Sequence, residues 1–340
     1  MNTRREFIKK TSALGILGVL SNWAFSACFT DKIGNTLPLR RFIRDGEKVT
    51  SFCLGGFHVG LPDDPAEAEK LIERAIELGV RFFDNARRYH NGRSEEYMGK
   101  FLVPKYRDEI FLMTKSHARN GEDAWKHLDE SLQAYNTDQI DLWQMHHIST
   151  PEDVDNRINN GVLDVFLEAK AKKKVRYIGF TGHRNPKTHL HLLSFLKERG
   201  IDMDATQMPL NVCDPSFESF QTQVLPELLE REYGVIAMKT MAGGSMLGKR
   251  IDTTPKSIKT EDIPDLSKIA GISREEMHQY VYSLPVSTLC SGCETIAELE
   301  HNVDVLKNFH QLSDDQMEKL IGLAKSSAGM TVENYKRVME

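Results

Sequence analysis

Short apolar runs alternate with amphipathic helical segments from Ser51 to Phe309, and this alternation constrains the fold more than any other feature of the sequence. It is typical of parallel strands that are joined by helical crossovers. The pattern predicts eight strands, at 52–54, 81–84, 110–114, 140–145, 177–181, 205–207, 235–239 and 287–289. Helices are predicted at 65–78, 123–135, 162–171, 186–198, 225–233 and 295–309. Eight strands, six of them followed by a predicted helix, favour an α/β fold in the form of a closed (β/α)8 TIM barrel.

An open, doubly wound sheet is the competing architecture. When such a sheet binds a dinucleotide it carries a G-x-G-x-x-G turn after its first strand, and the residues after 52–54 lack this pattern. The barrel is therefore preferred. Before the first strand, the alternating segment 39–51 is interrupted by Asp45-Gly46, which predicts an N-terminal β-hairpin. Residues 243–269 break the alternation and are expected to form a long loop on the face where barrel chemistry occurs.

The N-terminus carries a targeting pattern. Residues 3–9, Thr-Arg-Arg-Glu-Phe-Ile-Lys, resemble the twin-arginine export motif, and a weakly apolar stretch follows at 13–25. This stretch is shorter than the about 20 apolar residues of a stable membrane anchor. Small residues and Cys28 come next and offer either a cleavage site or a lipid attachment site. A disordered or surface N-terminal helix is the alternative.

These features divide the chain into three parts. We expect a twin-arginine signal peptide over 1–27, a linker over 28–37 and a barrel with a C-terminal helix over 38–340. The twin-arginine export machinery is then a partner of the chain. The mature protein would be periplasmic, or anchored to the membrane by a lipid on Cys28.

Charge and cysteine usage argue against several classes of function. The formal net charge is -5 and the basic residues are scattered, so no basic patch marks a nucleic-acid partner. The five cysteines are an odd number and lack the spacing of an iron-sulfur or zinc-finger motif. Redox chemistry in such a chain needs a dissociable cofactor.

Residues suited to acid-base chemistry lie at the ends of three consecutive predicted strands. Asp84 and Tyr89 follow the second strand, Lys115 the third, and His146 and His147 the fourth. Because the strand ends of a parallel barrel open into one cavity, these side chains are expected to converge. A lysine ammonium about 4 Å from a tyrosine oxygen would favour the phenolate by about 4 kcal/mol, or roughly three pKa units. Tyr89 could then protonate an alkoxide, with Lys115 held by Asp84 and with His146 orienting the carbonyl.

Several segments resemble the aldo-keto reductase family. Residues 83–89, Phe-Asp-Asn-Ala-Arg-Arg-Tyr, and the Gly-Arg-Ser-Glu that follows at 92–95 are similar to its signature around an aspartate and a tyrosine. Thr114-Lys115 and the run 141–146 resemble its lysine and histidine strands. The resemblance covers roughly 38–309. It implies an NAD(P)(H)-dependent oxidoreductase that interconverts an aldehyde, ketone or keto-sugar and an alcohol by hydride transfer. The implied catalytic residues are Asp84, Tyr89, Lys115 and His146.

The same resemblance implies a cofactor site on the later strands. Thr181 and Gln207 correspond to residues that contact the nicotinamide carboxamide, and Gly182 stands where the family usually has an amide side chain. Lys239 is at the pyrophosphate-facing end of the seventh strand. The segment that opens the last predicted helix resembles the adenosine-phosphate site. Its implied binding residues are Gly292, Cys293, Glu298 and Asn302.

The adenosine segment also bears on the choice of nucleotide. Glu294 and Glu298 should repel a 2′-phosphate, so NAD(H) is slightly preferred over NADP(H). The implied partner is a small carbonyl or sugar-like substrate. His58, His147 and His183 are expected to line its pocket, and no metal site is predicted.

Two other functions remain open at this point. His58, His146, His147 and His183, with Asp84, could hold zinc in a metal-dependent barrel hydrolase, although no H-x-H pair follows the first strand. A catalytically silent nucleotide-binding barrel is the third possibility, because such a protein can retain the four residues.

Overall fold

The computed structural model describes residues 29–251 and 254–336. The predicted signal peptide and Cys28 lie outside the described residues. Within the described ranges, no helix has both the length and the apolar character that crossing a membrane requires.

Eight parallel strands close into a barrel, and each pairs with the next in chain order until the last returns to the first. They are β3 (Phe52–Gly55), β4 (Phe82–Asp84), β5 (Phe111–Ser116), β6 (Ile140–Met145), β7 (Val175–Thr181), β8 (Ala205–Pro209), β9 (Gly234–Met238) and β10 (Thr288–Ser291). An antiparallel hairpin, β1 (Leu39–Arg41) and β2 (Lys48–Thr50), precedes them. The (β/α)8 TIM barrel with an N-terminal β-hairpin is therefore confirmed.

Helices cover the outside of the barrel and fill several of its loops. They are α1 (Gly56–Val59), α2 (Pro65–Glu77), α3 (Arg93–Phe101), α4 (Val103–Tyr106), α5 (Gly121–Tyr135), α6 (Pro151–Asn159), α7 (Val162–Ala171), α8 (Pro186–Glu198), α9 (Phe220–Gln223), α10 (Leu225–Glu230), α11 (Leu266–Ile269), α12 (Arg274–Tyr282), α13 (Ile296–Lys307) and α14 (Asp314–Ala324). The apolar spacing used above does not predict α3, α6 or α12. Both α6 and α12 begin at a capping residue, Thr150 and Ser273 respectively, and such caps are visible in a sequence.

Local chemistry explains the ends of α2. The Asp64 side chain accepts a hydrogen bond from the Ala66 amide, and Pro65 occupies the first turn, where its missing N–H is not needed. After the helix, Gly79 has φ 94°, and a Cβ there would lie 2.7 Å from the carbonyl oxygen of Asn35. Glycine is thus required where the chain turns back toward β4.

The hairpin closes the amino-terminal end of the barrel. The Phe42 ring, from the hairpin, lies 5.8 Å from that of Phe82 and 5.1 Å from that of Phe111, the first residues of β4 and β5. Burial of these aromatic rings stabilises that end and makes it a packed core. The carboxyl ends of the strands are left for the site.

Candidate active site

The four predicted catalytic residues come together at the carboxyl ends of β4, β5 and β6. Lys115 is buried in β5, and its Nζ donates to the Asp84 carboxylate and, over 2.6 Å, to the carbonyl oxygen of Asn85. The same Nζ lies 3.4 Å from the Tyr89 hydroxyl oxygen. The His146 ring stands edge-on to the Tyr89 ring, with the centroids 5.8 Å apart. The geometry therefore places both an ammonium and an imidazole next to one phenol.

A tight turn after β4 carries Tyr89 to this position. His90 and Asn91 have φ of 49° and 57°, the left-handed region, so the backbone reverses just after the tyrosine. The turn is tied to β5, because the Arg87 amide donates to the Lys115 carbonyl oxygen over 3.1 Å. The side chain of Glu95 also ties this turn to β5. Its buried carboxylate accepts from Thr114 Oγ1 at 2.5 Å and from Arg87 at 3.4 Å.

Electrostatics set the protonation states of the group. Burial disfavours the Lys115 ammonium, but the nearby Asp84 carboxylate outweighs it and raises the pKa of Lys115 above its usual value. Burial raises the pKa of Tyr89 to about 12, although Lys115 acts in the opposite direction. Burial, and next the charge of Lys115, lowers the pKa of His146 well below its usual value. The neutral-pH forms are an ammonium, a phenol and an uncharged imidazole.

This result corrects the expectation that Lys115 brings the pKa of Tyr89 down toward neutrality. The sequence argument counted the attraction between ammonium and phenolate and omitted the desolvation of the hydroxyl, which is the larger effect in the free protein. Sequence alone cannot give the depth of burial on which that desolvation depends.

Two of the three predicted pocket histidines lie together beside this group. His147 Nδ1 is 3.1 Å from His183 Nε2, and the His146 and His147 ring centroids are 6.5 Å apart. His58 lies elsewhere. Its Nε2 is 3.8 Å from Glu294 Oε1, and a Cβ on Gly292 would come within 2.0 Å of its Nδ1. His58 thus lies on the β10 side of the barrel's mouth, the opening that the carboxyl ends of the strands surround. The order of the strand ends along the chain does not predict this position.

The predicted carboxamide residues face each other across two strands. Thr181, the last residue of β7, pairs in register with Gln207 of β8, and both are buried. Gly182 follows, and a Cβ there would lie 2.5 Å from the carbonyl oxygen of Ile148. The family's amide side chain therefore does not fit at this position. On the next strand, Lys239 directly follows β9 with φ 54°, and burial lowers the pKa of its ammonium.

The remaining predicted cofactor residues form the start of α13. Thr295 caps this helix by accepting from the Glu298 amide, and Glu298 accepts from the Glu294 amide over 2.8 Å. Asn302 Nδ2 donates to Cys293 Sγ, and the donor-acceptor distance is 3.4 Å. Cys293 and Asn302 are thus paired with each other under the segment, and Gly292 lies above them against His58.

Comparison with known proteins identifies the family of this chain. The model of the Aldo/keto reductase family matches residues 51–325. This chain belongs to the aldo/keto reductase family. It is 26% identical over 294 residues to the uncharacterized oxidoreductase YqkF of Bacillus subtilis, covering 77% of this chain and 89% of that protein. It is 24% identical over 301 residues to L-galactose dehydrogenase of Arabidopsis thaliana, covering 82% and 91%.

A solved structure shares the fold. The aldo-keto reductase AKR11C1 from Bacillus halodurans, in its holo form, superposes with a TM-score of 0.70 at 20% identity, covering 87% of this chain and 99% of that one. The family match and the curated relatives show that this aldo/keto reductase is an oxidoreductase, and they give the hydrolase alternative no support.

The positions of the possible metal ligands also bear on the hydrolase alternative. Among the residues that the structure describes, no three His, Cys, Asp or Glu side chains are grouped so that they could hold a metal ion. The four histidines that sequence order brings to strand ends divide between two sides of the mouth, because His58 packs against Gly292.

The C-terminal segment contributes residues that the sequence analysis missed. After α14 the chain returns across the mouth of this aldo/keto reductase, and the Tyr335 ring lies 5.7 Å from that of His183. Tyr335 OH accepts from Asn211 Nδ2 at 3.0 Å, and Lys239 Nζ is 5.7 Å from the Tyr335 ring centroid. These contacts join residues that are far apart in the sequence, so no local pattern could have indicated them.

Proposed function

We propose that this aldo/keto reductase uses a nicotinamide cofactor to interconvert a carbonyl and an alcohol, with Tyr89 as the general acid or base. One observation carries the proposal. The Lys115 ammonium is bonded to the Asp84 carboxylate and reaches to within 3.4 Å of the Tyr89 hydroxyl at the mouth of the barrel. That arrangement supplies a proton donor and the charge that stabilises its conjugate base.

The residues of β7 to β10 fit a nicotinamide dinucleotide. The Lys239 ammonium is half-buried and has no hydrogen bond or ion pair to any described residue, and such a cation is suited to a pyrophosphate. Gln207 and Thr181 would hold the carboxamide. Gly292, Glu298 and the amides that begin α13 would hold the adenosine end, with Cys293 and Asn302 bracing the segment from beneath. When bound, the nicotinamide supplies or accepts hydride.

The protein's own residues handle the proton. Because the pKa of Tyr89 is raised to about 12, the phenol holds its proton at neutral pH and can give it to an oxygen that gains negative charge during reduction. Lys115 favours the phenolate that results, and Asp84 keeps the ammonium in place. His146 is uncharged, and its buried Nδ1 has no hydrogen-bond partner. It can therefore orient the substrate oxygen without contributing a charge.

A small, polar, sugar-like carbonyl compound is the substrate class we propose. The name of the Arabidopsis relative, L-galactose dehydrogenase, supports a sugar-like molecule. The experiment is to screen polar aldehydes, ketoses and 3-keto sugars with NADH and NADPH, and to follow nicotinamide absorbance. Oxidation of either nucleotide that depends on one of these carbonyls is expected. A chain that binds nucleotide but turns over nothing would be the silent barrel, and bound zinc in the purified protein without nucleotide binding would favour the hydrolase.

A preference for NAD(H) over NADP(H) is part of the proposal. Glu294 and Glu298 flank the start of α13, and the Arg250 guanidinium is engaged with the carbonyl oxygens of Ile258 and Pro255. Lys249 Nζ lies 3.8 Å from Glu298 Oε1, so its charge is partly balanced. We expect tighter binding of NADH in fluorescence-quench titrations. Tighter binding of NADPH by about tenfold, or about 1.4 kcal/mol, would contradict the preference.

Export by the twin-arginine pathway is proposed from residues 1–28 alone. This pathway carries folded proteins, so the cofactor would be loaded before export and retained. Arg4→Lys with Arg5→Lys should leave the precursor in the cytoplasm, and Cys28→Ala should release the mature chain from the membrane if Cys28 carries a lipid. Normal export of the double variant, or recovery of only cofactor-free periplasmic protein, would count against this proposal.

A further inference from the structure

Arginines collect on the part of the mouth away from Lys239 and Gly292, the residues proposed for the pyrophosphate and the adenosine end of the cofactor. Arg88 precedes Tyr89 after β4, Arg119 follows β5, Arg157 is in α6 after β6, and Arg184 follows β7. These four arginines are called the arginine rim below. Because β4 to β7 are consecutive in the closed barrel, their carboxyl ends form one continuous arc. Lys239 and Gly292 follow β9 and β10, on the remaining arc.

Arg157 is the buried base of the rim. Its side chain is 1% exposed, and Nε donates to Asp153 Oδ1 over 3.0 Å. One terminal nitrogen also donates to the carbonyl oxygen of His147 over 3.3 Å, while the other, NH1, is buried without a hydrogen-bond partner. Arg119 forms an ion pair with the same Asp153. One carboxylate therefore serves two guanidinium groups and leaves a buried donor unused.

The other two arginines have no such partner. Arg88 and Arg184 are exposed, and neither has a hydrogen bond or ion pair to any described residue. The imidazole of His147 does not add to the positive charge of these arginines. Burial, and next the guanidinium groups of Arg184 and Arg88, lowers the pKa of His147 to about 4. At neutral pH the rim thus has four cations near an uncharged His147–His183 pair, and Asp153 is the counter-ion of Arg119 and Arg157 only.

We propose that the arginine rim binds an anionic group of the substrate, a carboxylate or a phosphate, while the substrate carbonyl lies at Tyr89. This inference rests on the proposed function. Guanidinium groups bind both anions through paired N–H donors, and a partly buried positive site concentrates anions at its mouth. Arg88 and Tyr89 are adjacent in sequence, so one bound molecule can span the anion site and the phenol. The substrate class narrows to carbonyl compounds that carry a negative charge.

Matched substrate pairs test the proposal. Succinic semialdehyde and its methyl ester differ in one carboxylate, and glyceraldehyde 3-phosphate and glyceraldehyde differ in one phosphate. We expect kcat/KM to favour the anion of at least one pair by about tenfold or more at low ionic strength, through a lower KM, and the ratio to fall as salt is added. The pair that shows the larger ratio identifies the anion. Ratios near one in both pairs would overturn the proposal.

The double variant Arg88→Gln, Arg184→Gln should bring the preferred ratio close to one. The matched control is Arg199→Gln, an exposed arginine directly after α8 and so at the opposite end of the barrel. An unchanged ratio in the double variant, or the same loss in the control, would contradict the assignment.

Binding can be measured without turnover. Inorganic phosphate and succinate, titrated calorimetrically and by NMR into the full-length enzyme, should bind the parent protein and raise the pKa of His147, because an anion favours the imidazolium. Neither effect should survive in the double variant. If no carbonyl is reduced but the anions bind in this way, the proposed function fails and the rim assignment stands. If the uncharged carbonyls are reduced and the anions do not bind, the rim assignment alone fails.

Discussion

Two buried lysines of this protein are paired with carboxylates and differ in what surrounds them. Lys115 Nζ donates to Asp84 and to a backbone carbonyl, and its remaining direction leads to the Tyr89 hydroxyl at 3.4 Å. Lys336 Nζ, in the C-terminal segment, lies 2.7 Å from Asp214 Oδ1 and 2.8 Å from Glu333 Oε1. It also donates to the carbonyl oxygen of Phe217 over 2.6 Å.

The comparison separates two uses of one interaction. An ammonium has three N–H donors, and Lys336 places all three on acceptors that do not react. Lys115 directs one toward a hydroxyl whose proton can move. The first arrangement fastens the C-terminal segment to the loop after β8, and the second places an ammonium beside the proposed general acid. The same pair of residue types therefore predicts a catalytic group only where a reactive atom completes it.

The largest expected effect comes from removing that reactive atom. Tyr89→Phe deletes the proton source and keeps the ring, so turnover should fall by about 10² to 10⁴-fold while nucleotide affinity stays within a few-fold. Lys115→Met should slow turnover comparably and shift the pH profile upward. The double variant should be far from additive, because both changes disable one proton transfer. Steady-state kinetics and nucleotide titration on a confirmed substrate measure these quantities.

Tyr106→Phe is the matched control, because its hydroxyl bonds to Glu73 away from the mouth. Retention of more than about a third of the parent rate by Tyr89→Phe would show that Tyr89 is not the general acid, since that role requires about a hundredfold loss.

The second prediction concerns Lys336 and its two carboxylate partners, Asp214 and Glu333, which together are called the closed cluster. Lys336→Met leaves Asp214 and Glu333 buried without their cation, and breaking such a pair costs about 3–5 kcal/mol of unfolding free energy. The measurement is urea unfolding followed by circular dichroism. Lys325→Met, an exposed lysine after α14, is the control and should change little. A Lys336→Met protein as stable as the parent would mean that the cluster does not fasten the segment.

Sequence patterns predicted one lysine and not the other for a physical reason. Asp84 and Lys115 lie on neighbouring strands, and Tyr89 lies in the turn after the first of them. A parallel barrel brings consecutive strand ends together, so topology alone predicts that these residues converge. Lys336 meets Asp214 across 122 positions, through a segment with no periodicity. The (β/α)8 fold, the hairpin and the convergence of the four residues could be predicted. The side-chain burial that sets the pKa of Tyr89, the position of His58 and the path of the C-terminus depend on packing that no short pattern encodes.

A third lysine sharpens the comparison because, among the described residues, it has neither a carboxylate partner nor a hydrogen bond to a hydroxyl. Lys239 is half-buried beside the Tyr335 ring, and this partial burial lowers the pKa of its ammonium. Lys239→Met removes an uncompensated charge, so the free protein should become more stable at neutral pH, by about 1 kcal/mol, whereas Lys336→Met lowers stability. Nucleotide affinity should fall by about tenfold or more if Lys239 contacts the pyrophosphate. Urea unfolding measures the expected gain in stability, and fluorescence-quench titration measures the expected loss of nucleotide affinity. Unchanged nucleotide affinity would remove Lys239 from the cofactor site.

The smallest expected effect is a pH dependence within the closed cluster. Burial raises the pKa of Glu333 from 4.5 to about 7, with Lys336 acting in the opposite direction. Between these values the unfolded chain has released a proton that the folded chain still holds, so this group's contribution to stability falls as pH rises. Glu333→Gln cannot titrate, and its stability relative to the parent should therefore improve from about pH 5 to about pH 8. Glu318→Gln, an exposed residue of α14, should show no such trend in the same unfolding series. A constant difference between Glu333→Gln and the parent across this range would mean that Glu333 is already ionised at pH 5, as a strong pair with Lys336 would require. The closed cluster would then be a fully charged triad of one ammonium and two carboxylates. Its protonation states would match those of the Asp84–Lys115 ion pair, although the two sites differ in geometry.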